Sequence, residues 1–280
     1  MPVDVHSKHE VGKGQAPIND ENIGKLEEQK ISEDTNREYI SEDGSVYRGE
    51  KKNGMRDGQG TLTWPDGSVY SGQWKSNLFH GKGEFTHSNG DHFEGNFVNG
   101  KAEGYGVYTH KDGTRYEGDW KDDLQHGKGK ESKSDGSSYN GEFKMGKKHG
   151  QGRFEWSDKS VYDGQWKDNT KHGKGVYVWP DGSMYEGDFV ENKMHGQGFF
   201  DWGNGKTYSG DFFEDKKQGF GTFQWPRGVK YEGGWLDNQK HGLGTIYMGT
   251  KKRKGEWDMG KRVKWITEDE DISNSENYSL

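Results

Sequence analysis

The chain has 280 residues, with 40 Lys and Arg against 47 Asp and Glu, a net charge of −7, and no cysteine. This balance argues against nucleic-acid binding, and the lack of cysteine excludes disulfides and thiolate metal sites. Leu, Ile, Val and Phe together make up only about one residue in seven, a level that usually indicates disorder, so any core must be built from the 11 Trp, 14 Tyr and 13 Phe.

The first segment, residues 1–40, is polar and lies outside the pattern that follows. It lacks the apolar stretch of a signal peptide, and the chain nowhere has 18 consecutive apolar residues, so we expect neither secretion nor a transmembrane segment. Residues 21–34 have weak helical periodicity, and a segment this polar is expected to be disordered by itself.

From Tyr47 onward, one 23-residue pattern recurs almost to the end of the chain. A copy typically begins with Tyr-x-Gly-x-Trp/Phe, as in Tyr70-Ser-Gly-Gln-Trp74, and every complete copy continues with Gly-x-Gly at a fixed offset. Phe93 begins the third copy, and Lys51 replaces the second aromatic residue of the first copy. Nine complete copies and a half copy at residues 254–257 define an array over residues 41–265. Such a period indicates a linear array of small units, none of which can bury its apolar face alone.

Within each copy, apolar and polar residues alternate as they do in short strands. Alternation places Tyr70, Gly72 and Trp74 on one face of a strand, and a glycine inside a strand is explained if a ring lies flat on it. The eighth residue of each copy is Gly, Asn or Asp, which tolerate left-handed backbone, and Asp-Gly pairs supply a second turn. The sequence therefore predicts an all-β fold, an elongated single-layer antiparallel β-meander of tandem hairpin repeats.

A single layer of sheet would leave its aromatic rings covered on one side only. Exposed apolar surface of this kind commonly marks an interaction site. We therefore predict a partner-binding groove formed by rings at the first and fifth positions of the copies, namely Tyr70, Trp74, Phe97, Tyr116, Trp120, Phe143, Tyr162, Trp166 and Tyr185.

The second strand of the fourth copy departs from the pattern. Residues 129–133 read Gly-Lys-Glu-Ser-Lys and contain no aromatic residue. Stability in a repeat array is roughly a sum of unit and nearest-neighbour terms. We therefore predict a weak point, a bend or a partner-covered gap over residues 129–138.

Six histidines precede the Gly-x-Gly pairs, namely His80, His126, His149, His172, His195 and His241. Equivalent residues of successive copies would lie about 10 Å apart, too far to share one metal ion, so we interpret them as turn residues bonded to local backbone. The carboxylates recur as a solvated row, and the Gly-x-Gly pairs lack the helix and Lys-Ser/Thr of a phosphate loop. We expect no enzymatic activity and no cofactor.

Seven cations cluster near the end of the array, namely Lys251, Lys252, Arg253, Lys254, Lys261, Arg262 and Lys264. In one interpretation they form a patch for an anionic partner, either lipid headgroups or an acidic protein tail. In the other they form a solvated end cap, neutralised by the acidic residues 268–271 of the C-terminal tail, residues 266–280.

The succession of Tyr-x-Gly-x-Trp/Phe, His-Gly-x-Gly and Asp-Gly resembles the MORN (membrane occupation and recognition nexus) repeat. The resemblance implies a grooved single-layer sheet and roles in membrane junctions, in ciliary radial spoke heads or as scaffolds attached to enzymes. A bare array with short tails is most similar to the ciliary members. We therefore expect a non-enzymatic cytoplasmic scaffold that binds protein partners in a cytoskeletal assembly. The favoured assembly is the radial spoke head of the ciliary axoneme. A peripheral membrane or phosphoinositide-binding tether is the alternative, and a regulatory subunit of a separate enzyme is a third.

Overall fold

The structure, a computed structural model, describes residues 37–273. The helix considered for residues 21–34 and most of the N-terminal extension lie outside these residues, as do residues 274–280. The described chain divides into two compact units, the first with residues 37–134 and 143–147, the second with residues 135–142 and 148–273.

Strands and tight turns make up almost all of the described chain. A single 3₁₀ turn at Pro226–Gly228 is the only helical element within residues 37–273. The strands are β1 (Glu38–Ile40), β2 (Val46–Lys52), β3 (Met55–Thr63), β4 (Val69–Lys75), β5 (Leu78–Thr86), β6 (His92–Val98), β7 (Lys101–Thr109), β8 (Arg115–Lys121), β9 (Leu124–Ser132), β10 (Ser138–Lys144), β11 (Lys147–Glu155), β12 (Val161–Lys167), β13 (Thr170–Val178), β14 (Met184–Val190), β15 (Lys193–Asp201), β16 (Thr207–Phe213), β17 (Lys216–Gln224), β18 (Lys230–Leu236), β19 (Gln239–Met248), β20 (Lys251–Asp258), β21 (Lys261–Trp265) and β22 (Glu270–Asp271).

Within each unit, consecutive strands pair antiparallel, so each repeat is a hairpin that joins the next repeat through a second turn. In the first unit β4 pairs with β3 and β5, and in the second unit β14 pairs with β13 and β15. The predicted fold class, an antiparallel meander of tandem hairpin repeats, is confirmed.

The turn inside each hairpin explains why the eighth residue of a repeat is Gly, Asn or Asp. Both central residues of the turn have positive φ, as in Glu191 at 48° and Asn192 at 73°. Such a turn matches the twist of the flanking strands. Asn192 also holds the previous repeat: its backbone N–H donates to the Lys171 carbonyl over 3.0 Å, and its Oδ1 accepts from the Lys171 N–H over 2.8 Å.

An aspartate stabilises the turn between repeats through hydrogen bonds. Asp181 accepts hydrogen bonds from the Ser183 N–H over 2.9 Å and from its hydroxyl over 2.7 Å, and these bonds lower the pKa of the carboxyl. Gly182, between them, has a φ of 82°. At the turn where Asp158 is followed by Lys159 instead of glycine, Lys159 adopts the same left-handed conformation with a φ of 73°, so the turn is kept with a non-glycine residue.

The core consists of tyrosine rings that lie flat on glycines. Tyr162 is fully buried, and a Cβ added to Gly175 would lie 2.6 Å from its ring, so only glycine fits. The Tyr162 hydroxyl donates to the Gln165 carbonyl over 2.8 Å. Its ring packs edge-on against Trp166 at 5.2 Å and against Phe189 of the next repeat at 5.1 Å. The predicted contact between rings and glycines is confirmed.

Candidate functional site

Within each unit, the rings predicted to line a groove lie on one face, but all nine are closed to solvent. Their exposed fractions are 0 to 6%. Tyr185, for example, contacts Phe189 of its own repeat and Phe212 of the next repeat at 5.1 Å each. The expected uncovered side of these rings is therefore wrong, because edge-on packing between repeats fills the gaps that a single layer would leave. That these rings contribute to partner binding stays a prediction. Because they are buried, a partner would have to contact other side chains on the same face.

A second set of rings on this face stays half-exposed in the second unit. It lies at the ends of β11, β13, β15 and β17, and its rings form an unbroken series with centroids 4.3 to 5.4 Å apart. We call it the aromatic ladder, and its members are Phe154, Trp156, Tyr177, Trp179, Phe200, Trp202, Phe223 and Trp225. All except Phe154 keep intermediate exposure. The ladder is therefore a continuous band of accessible aromatic surface across four repeats.

The first unit has no unbroken series of rings at the equivalent positions. Trp64 matches the ladder tryptophans and contacts Phe85 at 5.4 Å. However, His87 and His110 stand where the next two tryptophans would lie, and the ring of Tyr108 is buried. In the fourth repeat these positions carry Glu131 and Lys133, whose charged groups lie 3.9 Å apart. Among the described residues the ladder therefore begins only after the strand that lacks aromatic residues.

Lysines flank the ladder on the same face. They lie near the start of the second strand of each hairpin and form what we call the lysine row, namely Lys148, Lys171, Lys217 and Lys240, with Met194 at the equivalent position in β15. The Lys171 Nζ lies 4.3 Å from the ring centroid of Tyr177 and 5.4 Å from that of Phe189. Burial lowers the pKa of Lys171, Lys217 and Lys240, so these ammonium groups have exchanged part of their hydration for ring faces.

Sequence reasoning missed the ladder and the lysine row, although a signal was present. Trp156, Trp179, Trp202 and Trp225 recur every 23 residues, each just before the turn between repeats. Strand alternation assigns them to the same face as the buried rings, and alternation alone does not distinguish the two sets. Only packing shows that rings in the middle of the strands are covered while rings at the strand ends are not.

The 23-residue period, the rings on glycines and the two turns have a counterpart among known families. The family model of the MORN repeat matches nine successive segments, residues 47–69, 70–92, 93–115, 116–138, 139–161, 162–184, 185–207, 208–230 and 231–250. The chain belongs to the MORN repeat family. MORN repeats build scaffolds and membrane-associated proteins and generally take part in protein or lipid interactions.

A comparison with curated protein sequences gave no match. Solved structures with some similarity include the G-box domain of the microcephaly protein CPAP, at 11% identity, 76% of this chain, 99% of that chain and a TM-score of 0.28. Virginiamycin B lyase from Staphylococcus aureus has 11% identity over 84% of this chain and 83% of that chain, with a TM-score of 0.15. At these TM-scores the similarities carry no argument about this MORN protein.

The six histidines that precede the Gly-x-Gly pairs lie within strands, not in turns. His149 is in β11 and His241 is in β19. The Nδ1 of His149 lies 3.8 Å from the Asp168 carboxylate, and that of His241 lies 3.4 Å from the Asp258 carboxylate. The interpretation as turn residues bonded to local backbone is therefore wrong, because the turn ends before each histidine and its ring faces the next hairpin. Within residues 37–273 no cluster of three or more His, Asp or Glu is placed to hold a metal ion.

The opposite face of the second unit carries a shallow depression of about 670 Å³. Its lining is mostly polar and includes Asp163, Gln165, Lys174, Glu186 and Gln197. The Lys174 Nζ is already paired with the Asp188 carboxylate at 2.8 Å. Phe199 is the single aromatic ring in its lining, whereas the ladder has eight.

The cations near the end of the MORN array do not form one surface. Alternation along β20 places Lys251 and Arg253 on one face and Lys252 and Lys254 on the other. The guanidinium groups of Arg253 and Arg262 each lie 4.5 Å from the ring centroid of Trp265. The single patch suggested by the sequence is therefore divided between two faces, because neighbouring residues of a strand point in opposite directions.

The acidic residues that follow fold back onto these cations. Strand β22 pairs antiparallel with β20. The Lys252 Nζ lies 3.2 Å from the Glu270 carboxylate, and the Arg253 guanidinium lies 3.5 Å from Glu268 and 3.7 Å from Asp269. Of the two interpretations, these ion pairs favour the neutralised end cap. No helix of the described residues has the length and apolar character to span a membrane.

Proposed function

We propose that this MORN protein is a non-enzymatic scaffold that holds a protein segment against the aromatic ladder. The observation that carries the proposal is the unbroken series of half-exposed rings in the second unit. Accessible aromatic surface of this extent commonly marks a protein-binding site, since rigid rings offer contact area at low entropic cost. Two of the buried rings pack directly against the ladder, Trp166 against Phe154 at 6.1 Å and Tyr185 against Phe200 at 6.4 Å.

We propose that the protein works in a cytoskeletal assembly in the cytoplasm. The favoured assembly is the radial spoke head of the ciliary axoneme. The support for this step is the resemblance to ciliary MORN proteins, which is an argument by analogy at the level of the fold. The proposed lack of catalysis is supported by the polar side chains, which recur with the repeat instead of converging on one place.

The membrane-tether alternative has weaker support. It depends on the cations of β20 and β21, and Lys251, Lys252 and Arg253 each pair with the chain's own carboxylates. A regulatory subunit of an enzyme is compatible with the same ladder, because the ladder specifies a bound segment and not the protein that carries it.

The proposal is tested by photo-crosslinking in native extract of ciliated cells. A photoreactive residue in place of Met194, which lies on the same face as the ladder, reports the neighbours of the full chain. We expect axonemal proteins, and we expect their loss in a Trp179→Ala/Trp202→Ala variant. Lys167→Ala, on the opposite face, is the control.

Identical neighbours for the wild type and the ladder variant would contradict the proposed site. Neighbours that consist only of membrane proteins would contradict the proposed setting. Circular dichroism and thermal unfolding of each variant separate loss of binding from loss of fold.

A further inference from the structure

The spacing of the repeats restricts what can lie along the ladder. Equivalent residues of successive repeats are two strands apart, which is about 9.6 Å. A polyproline II helix has three residues per turn and rises about 3.1 Å per residue, so one turn spans about 9.3 Å. Laid across the strands, such a segment presents an equivalent side chain to every repeat.

An α-helix does not match this spacing. At about 1.5 Å per residue it needs about 6.4 residues, or about 1.8 turns, for each repeat. Side chains that contact one repeat would therefore rotate away from the next repeat. A polyproline II segment keeps the same face toward the ladder over all four repeats, whereas a β-strand, with its two-residue period, would reverse its face at about every repeat.

The surface chemistry of the ladder fits the same conformation. Polyproline II segments dock on surfaces lined by aromatic rings, because they are preformed and have no internal hydrogen bonds to break. Trp179 and Phe200, at the centre of the ladder, have centroids 5.1 Å apart and planes inclined by 30°. Phe200 and Trp202 follow at 4.3 Å and 33°. These inclined, half-exposed rings offer accessible faces and edges against which a proline ring can pack.

The lysine row determines the charge of the bound segment. Lys171 and Lys217 lie beside the ladder two repeats apart, and the Nζ of Lys217 is 5.2 Å from the Trp202 centroid. Lys240 continues the row with its Nζ 4.7 Å from the Trp225 centroid. A carboxylate at every third residue of the segment would meet one ammonium group per repeat. Opposite Met194, an apolar side chain fits better.

We propose that the aromatic ladder and the lysine row bind an acidic, proline-containing segment in the polyproline II conformation, running across the strands of the second unit. Its carboxylates recur at about every third residue and face Lys148, Lys171, Lys217 and Lys240. This inference rests on the proposed protein-binding function of the ladder and names the chemistry of the partner.

The test uses the full chain and a defined probe, the peptide (Glu-Pro-Pro)₅. The lysine row covers four repeat spacings, about 38 Å, or about 12 residues of polyproline II, so a 15-residue peptide covers it. Fluorescence anisotropy of the labelled peptide measures the affinity. We expect (Glu-Pro-Pro)₅ to bind more tightly than (Lys-Pro-Pro)₅ and its affinity to fall with salt.

The variants exploit the natural methionine of the row. Lys171→Met and Lys217→Met keep a long side chain against the rings, as Met194 does, and remove the charge. We expect each to weaken (Glu-Pro-Pro)₅ binding about two- to five-fold, the range for partly exposed ion pairs. Met194→Lys should strengthen it by a similar factor. Lys167→Met, on the opposite face, makes the same change in net charge and should have no effect.

Three results would overturn the inference. They are no detectable binding of (Glu-Pro-Pro)₅, equal affinity for the acidic and basic peptides, or unchanged affinity in Lys171→Met and Lys217→Met. Tighter binding of an acidic α-helical peptide of equal length would also overturn it. If Trp202→Ala abolishes binding of that helical peptide, the ladder is still a protein-binding site. Only the proposed polyproline II conformation of the bound segment is then wrong. The proposed function falls as well if the crosslinks in native extract survive the ladder variant.

Discussion

At the scale of single residues, tyrosine and glycine act as one structural element. Eight of the nine repeats place a buried tyrosine over glycines of the same hairpin, and the third repeat uses Phe93. The tyrosine hydroxyl donates to a backbone carbonyl three residues along the chain, as from Tyr231 to Gly234 over 3.1 Å. Burial raises the pKa of Tyr231 to about 12, because the charged form would lose its hydration. The high glycine content is thus a requirement of the core.

Gly175→Ala tests this requirement. The new Cβ would lie 2.6 Å from the ring of Tyr162, so we expect the free energy of unfolding to fall by about 1–3 kcal/mol. Urea unfolding followed by tryptophan fluorescence measures the change. In a Tyr162→Ala background the same substitution should cost less, and an equal cost in both backgrounds would show that the ring is not the obstacle.

The lysine row predicts a pH dependence of stability. Burial lowers the pKa of Lys171, so between that value and the ordinary value of about 10.4 the unfolded chain binds more protons than the folded chain. The free energy of unfolding contributed by this lysine therefore rises with pH in that window. Urea unfolding of wild type and Lys171→Met at several pH values from 7 to 10 measures the contribution. The difference between their free energies of unfolding at each pH isolates Lys171, because the tyrosines titrate in both proteins. We expect Lys171→Met to be relatively more stable at pH 7. A difference that does not change with pH would contradict the desolvation of Lys171.

At the scale of the strand and turn, neighbouring repeats are joined through the turn inside each hairpin. Asn169 and Asn192 each make two bonds to the previous repeat, one through the backbone N–H and one through the side-chain oxygen. Where glycine occupies this position, as in Gly100 and Gly146, the backbone bond remains, to Phe79 and Gln125. The side chain therefore adds one bond to a turn that forms without it.

Asn192→Gly tests the value of that bond. Glycine accepts the φ of 73°, so the turn is kept and only the 2.8 Å bond to the Lys171 N–H is lost. We expect a loss of about 1 kcal/mol in the free energy of unfolding, measured by urea unfolding. The reverse change, Gly146→Asn, should stabilise the chain or leave it unchanged, and destabilisation by Gly146→Asn would contradict the role assigned to the side chain.

Strand β9 has the regular length and pairs with β8, although it lacks an aromatic residue at the ladder position. The boundary between the two compact units falls between residues 134 and 135, immediately after this strand. We still predict a local weakness at residues 129–138, because fewer rings pack there. Amide hydrogen exchange should be faster there than over residues 175–178 of β13. Equal protection of the two segments would contradict the prediction.

At the scale of the whole molecule, the acidic C-terminal segment controls the charge of the last strands. Replacement of Glu268, Asp269 and Glu270 by the corresponding amides removes the ion pairs with Lys252 and Arg253. We expect the wild type to bind anionic vesicles weakly and this variant to bind them more strongly, with an affinity that falls as salt rises. Vesicle pelleting measures both. Strong wild-type binding that the replacements do not change would instead favour the membrane-tether alternative.

The sequence by itself determined the family, the hairpins, both kinds of turn and the contact between rings and glycines. These features are local or repeat every 23 residues. What the pattern of Tyr70-Ser-Gly-Gln-Trp74 indicates about strands and faces can therefore be applied to the other copies. Only the tertiary structure decided which rings are accessible, how the cations divide between two faces, and where the acidic segment lies. The burial of a ring depends on neighbours from the adjacent repeats. Tyr185 is fully buried because Phe212 of the next repeat packs against it, whereas Trp179, at a strand end, remains partly exposed to solvent. Alternation along a strand assigns a side chain to a face, but packing between repeats determines whether that side chain reaches solvent.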